Sequence, residues 1–321
     1  MRIVSAIKIK DEIQALLQEE FKDVSFLFYN SIEEAEKSHS LGESEVLLTY
    51  GEDIKAEHIK KASKLKWIML LTAGFEQLPL ESIVERNIVI TNVKGIHKTP
   101  MAEYTILMML QETARFRSMM DQQKQKVWNK SLYLNTLEEI TEKTVAILGT
   151  GVIGSEIARL AKAFNMKTMG FNRSGTAVEH VDQLYTSQGL FECLRKADFV
   201  VSILPSTTET KGFLKGIHFK EMKKTAVFIN IGRGNTVVEE DLVYALQTKE
   251  IKHAVLDVFA EEPLPSSHPF WEMENVTITP HIAGVSTNYQ DRAIEIFKHN
   301  LQVFRTGVGE LLNVIDIEKG Y

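Results

Sequence analysis

TVAILGTGVIGSEIARLAKAF, residues 144–164, runs from an apolar β-type stretch directly into Gly149, Gly151 and Gly154 and then into apolar residues at helical spacing. A nucleotide-binding turn is built in this order. The first glycine permits the tight strand-to-helix turn, the second lets backbone approach a pyrophosphate, and the third lets the helix lie close on the sheet. The exposed N–H groups at the start of such a helix hold phosphates. Gly149, Gly151, Val152, Ile153 and Gly154 are therefore candidate contacts to a dinucleotide.

Upstream of this turn, short β-type runs at Ile3 to Ile7, Ser25 to Tyr29, Glu45 to Tyr50, Trp67 to Leu71 and Ile88 to Thr91 alternate with helical patterns. One such pattern is Asp11 to Glu20, where Ile13, Leu16 and Leu17 recur at helical spacing. A second series of strands starts at Val145. It continues through Thr168 to Phe171, Phe199 to Leu204, Ala226 to Ile231, Ala254 to Val258 and Val276 to Thr279. Alternation of this kind predicts an α/β chain with two doubly wound parallel sheets. A length of 321 residues agrees, since it exceeds the usual size of a single core. Between the two series, Met101 to Met120 carries apolar residues around most of a helical circumference, which predicts an interdomain helix buried on several sides and contributing to a subunit contact. The amphipathic run Asn288 to Phe304 is expected to return the chain to the first domain. That domain is then discontinuous, 1–98 with 286–321, around a dinucleotide-binding domain at 99–285.

A net charge of −6, with both signs interspersed along the chain, points away from nucleic acid or a membrane surface as partner. The first residues, MRIVSAIKIK, are too short an apolar run for a signal peptide, and no apolar stretch approaches a membrane span. The single cysteine, Cys193, excludes an internal disulfide and is expected as a buried or half-buried thiol, which favours a cytoplasmic location.

Candidate chemistry gathers at strand ends of the second series, the edge of an open α/β sheet where ligands bind. Leu204 with Pro205, Ile231 with Gly232, and Gly284 beyond the last strand extend the candidate cofactor surface. Arg233 lies between Gly232 and Gly234, and its planar fork suits a carboxylate and a neighbouring carbonyl oxygen. The next strand ends at Asp257, followed by Glu261 and Glu262, and the last ends at Pro280 and His281. Of nine histidines, His281 alone follows an apolar strand directly and precedes a small-residue turn. His253 is expected to begin a strand and His268 to lie in a loop. His39, His58, His97, His180, His218 and His299 read as exposed helix or loop residues.

Residue type assigns the work. Hydride addition to a ketone leaves an alkoxide that must take a proton, and histidine suits that donation near neutrality. A neighbouring carboxylate favours the charged imidazolium and orients the ring, a role given to Glu262 with Glu261 competing for it. Arg233 is expected to hold a substrate carboxylate and polarise the carbonyl.

LGTGVIG, INIGRG, LDVFAEEPLP and TPHIAG, in this order, resemble the D-isomer-specific 2-hydroxyacid dehydrogenase family, over nearly the whole chain. The resemblance implies that Arg233 is the catalytic arginine, that Glu262 rather than Glu261 partners the histidine, and that His281 is the acid/base. It implies further that Asp257 contacts the nicotinamide carboxamide. In LLTAGFEQL it marks the backbone amides of Ala73 and Gly74 as holders of the substrate carboxylate, an arrangement that backbone N–H pairs can supply. The implied fold is a Rossmann cofactor domain inserted into a flavodoxin-like substrate domain, with a cleft that closes on ligand. Homodimers formed largely through the cofactor domains are implied as well.

The chain departs from the family where the second strand after the glycine turn ends. Many members carry there an acidic residue for the adenosine ribose, whereas KTMGFNRSG places Asn172, Arg173 and Ser174 in that region. NADP is therefore the expected cofactor, with NAD second, and the glyoxylate and hydroxypyruvate reductases are the subgroup indicated. The expected substrate is a small 2-oxo or 2-hydroxy acid. Two other readings use the same scaffold: a dinucleotide-binding corepressor acting through protein contacts, and a formate-dehydrogenase-like enzyme. The intact Arg233, Glu262 and His281 set weighs against the first. The second subgroup resembles this chain with glutamine where Glu262 stands.

Overall fold

The computed structural model describes residues 1–72, 74–75 and 77–317. The chain forms two units, Met1–Ile96 with Ser286–Tyr321, and His97–Val285.

The first unit runs β1 (Arg2–Ser5), α1 (Asp11–Glu20), β2 (Ser25–Phe28), α2 (Ile32–Lys37), β3 (Val46–Thr49), α3 (Ala56–Lys61), β4 (Trp67–Leu70), α4 (Leu80–Glu85) and β5 (Val89–Thr91). Its sheet is parallel throughout, in the order β2-β1-β3-β4-β5, which is the flavodoxin-like order. Strand side chains alternate between faces, so both faces must be covered. Ile3, Val46, Leu48, Trp67 and Met69 enter one core with Ala293, Ile294, Phe297 and Leu301 of the C-terminal helix Tyr289–Thr306. Val4, Leu47, Ile68 and Leu70 enter the other. The C-terminal helix therefore completes this unit.

The second unit begins with α5 (Lys98–Thr113) and α6 (Phe116–Gln125). It continues β6 (Thr144–Leu148), α7 (Val152–Ala163), β7 (Lys167–Phe171), β8 (Gln183–Tyr185), α8 (Leu190–Lys196), β9 (Phe199–Ser202), α9 (Gly216–Lys220), β10 (Val227–Asn230), α10 (Glu239–Gln247), β11 (His253–Leu256) and β12 (Val276–Ile278). The parallel order β12-β11-β10-β9-β6-β7-β8 is the dinucleotide-binding order with one further strand. Val145, Ile147, Phe199, Val201, Val227 and Ile229 face one core, and Ala146, Leu148, Val200 and Phe228 the other.

Three local expectations are corrected. The helix expected over Met101 to Met120 is two helices, broken where Arg115 takes φ 51°. Its burial is one-sided, because Leu107 stays 55% exposed and α6 buries none of its residues. His58 and His218, read as exposed, are buried: each ring Nδ1 accepts the backbone N–H of Lys55 or Lys215, so the histidine closes the first turn of its own helix. Strand β8 is an addition to the strands expected from the sequence, since a three-residue edge strand is too short to show a period. Cys193 is buried on α8.

Candidate active site

The glycine turn leaves β6 with Gly149 at φ 107°, and a Cβ there would stand 3.0 Å from the Ile203 carbonyl oxygen. At Gly154 a Cβ would stand 2.2 Å from the Gly149 carbonyl oxygen, so only glycine lets α7 lie this close to its own turn. Gly151, the residue capping α7, is different. Among the described residues nothing comes within 4 Å of where its Cβ would be. The open space over Gly151, at the positive end of a twelve-residue helix that begins with Val152 and Ile153, suits a pyrophosphate. The turn lies where β6 and β9 adjoin, the point at which strand order reverses. These residues fit a dinucleotide.

At the end of β7, Asn172 is absorbed into the chain's own turn. Its amide donates to Thr150 Oγ1 at 2.8 Å and to the Thr176 carbonyl at 3.1 Å, and its oxygen accepts the Gly175 N–H at 2.7 Å. Both amide hydrogens are thus engaged within the protein. Ser174 accepts from the Thr176 N–H and remains exposed. Arg173 is 82% exposed, with its guanidinium 2.9 Å from Glu209. Glu209 lies in the loop that leaves β9 through the buried Leu204 and the exposed Pro205. That loop is tied down by Thr207 and Thr210 and by Ser206, which accepts from Asn235 at 2.8 Å.

Buried Ile231 and Gly232 follow β10. A Cβ at Gly232 would meet the Leu204 carbonyl oxygen at 2.8 Å, and one at Gly234 would overlap the Phe259 backbone at 1.9 Å. Two glycines are thus required for Arg233 to leave the sheet between them. Asn230 accepts the Gly232 N–H, Thr236 donates to the Arg233 carbonyl, and the Arg233 guanidinium, exposed, donates to the Gly232 carbonyl at 2.9 Å. His97, which the sequence predicts in an exposed helix or loop, lies in this neighbourhood and is half-buried. Its ring meets the position a Gly284 Cβ would occupy at 2.9 Å. Burial first, and then the Arg233 charge, push it below the ordinary histidine value. Nothing in the local sequence marks it, since the contact joins residues nearly two hundred positions apart.

The loops after β11 and β12 meet at Glu262 and His281. Glu262 Oε1 accepts the Phe259 N–H at 2.9 Å, and Oε2 lies 2.7 Å from His281 Nδ1. A carboxylate only accepts, so Nδ1 carries the hydrogen and Nε2 does not. His281 takes φ 54°, a left-handed conformation that a non-glycine residue holds only when its surroundings enforce it. Asp257 supplies much of that enforcement. Its carbonyl accepts the His281 N–H, and its buried carboxylate accepts the Ile282 and Ala283 N–H groups at 2.8 and 2.9 Å.

In the first unit, Gly74 follows β4 and lines a cavity of about 100 Å³ with Tyr50, Gly51, Thr72 and Leu78. Ala73 lies outside the described residues. No metal-binding cluster of His, Cys, Asp or Glu occurs among the described residues, and no helix among them is long and apolar enough to cross a membrane.

Residues 106–283 match the model of the D-isomer specific 2-hydroxyacid dehydrogenase, NAD binding domain, family. The chain is 33% identical to the glyoxylate reductase of Pyrococcus horikoshii over 266 residues, 80% of this chain and 78% of that one. The crystal structure of a D-isomer specific 2-hydroxyacid dehydrogenase family protein from Aeromonas salmonicida superposes with a TM-score of 0.87 at 33% identity, covering 98% of each chain. An NADPH-dependent glyoxylate/hydroxypyruvate reductase from Sinorhizobium meliloti, solved with NADP and sulfate, has a TM-score of 0.79 at 26% identity, covering 100% of this chain and 99% of its own.

Proposed function

The chain belongs to the D-isomer specific 2-hydroxyacid dehydrogenase family, and from that premise we propose that it reduces a small 2-oxo acid to a D-2-hydroxy acid. Glyoxylate and hydroxypyruvate are the first substrates to consider, after the names of its relatives. The observation that carries this reading is the 2.7 Å contact between Glu262 and His281 at neighbouring strand ends of a dinucleotide-type sheet.

When bound, the nicotinamide supplies the hydride. His281 Nε2 gives the proton that the developing alkoxide needs, and Glu262 stabilises the imidazolium and keeps Nδ1 engaged. Arg233 holds the substrate carboxylate and draws charge from the carbonyl. A bound pyrophosphate would be held over Gly151 by Gly149, Val152, Ile153 and Gly154, and Leu204, Pro205, Ile231, Gly232 and Gly284 would line the rest of the cofactor site. Asp257 has three of about four acceptor positions filled, which leaves one for the carboxamide.

NADP is the preferred cofactor in this reading, because Arg173 can accept a 2′-phosphate where an acidic residue would repel it. The exposed segment at Trp128, 97% accessible, with Val127, Leu132, Leu134 and Leu137 nearby in sequence, is assigned to contact with a second copy of the chain. The unpaired Cys193 favours the cytoplasm. Turnover of glyoxylate, hydroxypyruvate, pyruvate and bulkier 2-oxo acids with NADPH and with NADH tests the proposal. Absence of reduction with every acid would overturn it and favour a purely binding role.

A further inference from the structure

Behind the His281 turn a hydrogen-bond chain runs from the buried Asp257 to the half-buried Thr279 and Tyr104, two residues with no role in the mechanism above. Asp257 Oδ1 accepts the Thr279 hydroxyl at 2.6 Å as well as the Ile282 N–H, while Oδ2 accepts the Ala283 N–H. Thr279 Oγ1 lies in turn 2.7 Å from the Tyr104 hydroxyl on α5. Directions follow from the chemistry. The carboxylate only accepts, so the one hydroxyl hydrogen of Thr279 goes to Asp257, and the Tyr104 hydroxyl must donate to Thr279. Burial pushes the Tyr104 phenol up to about 12, so that hydrogen is present throughout the neutral range.

We propose that Thr279 and Tyr104 are positioning residues for the proton transfer, acting on His281 through Asp257. The Asp257 carboxylate binds the two amides that follow His281, and its carbonyl binds the amide of His281 itself. A carboxylate that turned about its own bond would release both following amides together. Thr279 blocks that rotation by occupying Oδ1, and Tyr104 fixes the Thr279 hydroxyl. The left-handed backbone of His281 is held by this clasp, and a displacement of its Nε2 by a fraction of an ångström enters directly into the rate. The inference rests on His281 as the proton donor.

Thr279→Val, Thr279→Ser and Tyr104→Phe test it, each measured for kcat and substrate KM, with His281→Ala beside them. Valine keeps the shape and removes the hydroxyl. The expected kcat loss in Thr279→Val is about tenfold to hundredfold with KM changed by less than about threefold. Thr279→Ser should keep kcat near wild type, and Tyr104→Phe, which preserves the bond to Asp257, should show a smaller loss than valine. Wild-type kcat in Thr279→Val, or equal losses in the valine and serine variants, overturns the inference while an inactive His281→Ala leaves the proton-donor reading standing. An active His281→Ala overturns that reading instead. If Thr279→Val does not fold, Tyr104→Phe decides: an undiminished kcat in that variant overturns the inference.

Discussion

The guanidinium of Arg173 lies 2.9 Å from the carboxylate of Glu209, a residue delivered by the loop after β9 to the end of β7. Both side chains are largely exposed, so the pair itself contributes little to stability. In the proposed reading its weight falls on cofactor choice. A 2′-phosphate that binds Arg173 must share or displace Glu209, whereas an unphosphorylated ribose need not.

Arg173→Ala is therefore expected to lower kcat/KM for NADPH by about tenfold to hundredfold and to leave NADH nearly unchanged, as for loss of a charge-assisted contact. Glu209→Gln should move the NADPH to NADH ratio the opposite way. Equal efficiencies in the wild type, or a preference that survives removal of Arg173, would sink this assignment.

His281→Ala should lose roughly two to four orders of magnitude in ketone reduction while still binding cofactor. In Glu262→Gln the ring loses the carboxylate that favours its protonated form, so the pH optimum of reduction should move down. Arg233→Lys keeps the charge and loses the fork, and should impair substrate use severely. Steady-state kinetics across pH check all three; an unchanged pH profile in Glu262→Gln would count against the pairing.

Alanine at two positions of the glycine turn should separate folding from binding. Gly154→Ala places a methyl 2.2 Å from the Gly149 carbonyl and should lower the melting temperature. Gly151→Ala meets open space, so melting should change little while cofactor affinity falls. Titration of both variants with cofactor, alongside thermal melting, gives the answer; equal melting temperatures in the two would contradict the packing assigned to Gly154.

His253 opens β11 with Nε2 3.3 Å from Glu112 and 2.9 Å from Thr277 Oγ1. Burial depresses it to about 4, so the ring is neutral at pH 7 and its contact with Glu112 is not an ion pair. The unfolded ring takes up its proton near 6.5, so the unfolded state binds more protons between these values and stability falls as pH drops through that window. Glu112, pushed up by its own burial, acts with the opposite sign and offsets part of the loss toward the acid end. From pH 7 to pH 5 the His253 contribution is roughly 2 kcal/mol. Urea midpoints at the two pH values should differ less in His253→Gln than in the wild type; the same difference in both would remove His253 from the account.

Trp128→Asp should leave the fold intact and convert a dimer into monomers in sedimentation velocity. A wild type that sediments as a monomer would end the dimer assignment.

Fold class was legible because the strands and helices that define it rest on local pattern. The period of β6 and the glycines after it specify strand, turn and helix within twenty-one residues, and Gly149 and Gly154 serve backbone needs that no other residue meets. Elements that depend on distant partners were not. Strand β8 exists because β7 offers it an edge; the break at Arg115 and the helix caps made by His58 and His218 are local, but they rest on backbone geometry that apolar periodicity does not register.

The same division holds at the site. Residue type and position at strand ends pointed to Arg233, to His281 and to the pair Glu261 and Glu262, between which only the family resemblance chose, since an α/β sheet brings its carboxyl ends to one edge. Which atoms meet, and what holds them, depends on contacts between residues far apart in the chain. Tyr104 reaches Thr279 across 175 positions, and Glu209 reaches Arg173 across 36. Chain order sets which strands form, through periodicity that acts over a few residues. Hydrogen bonds across those distances are set only when the sheet has closed and both partners have lost their water, and for that reason the tertiary structure alone decided them.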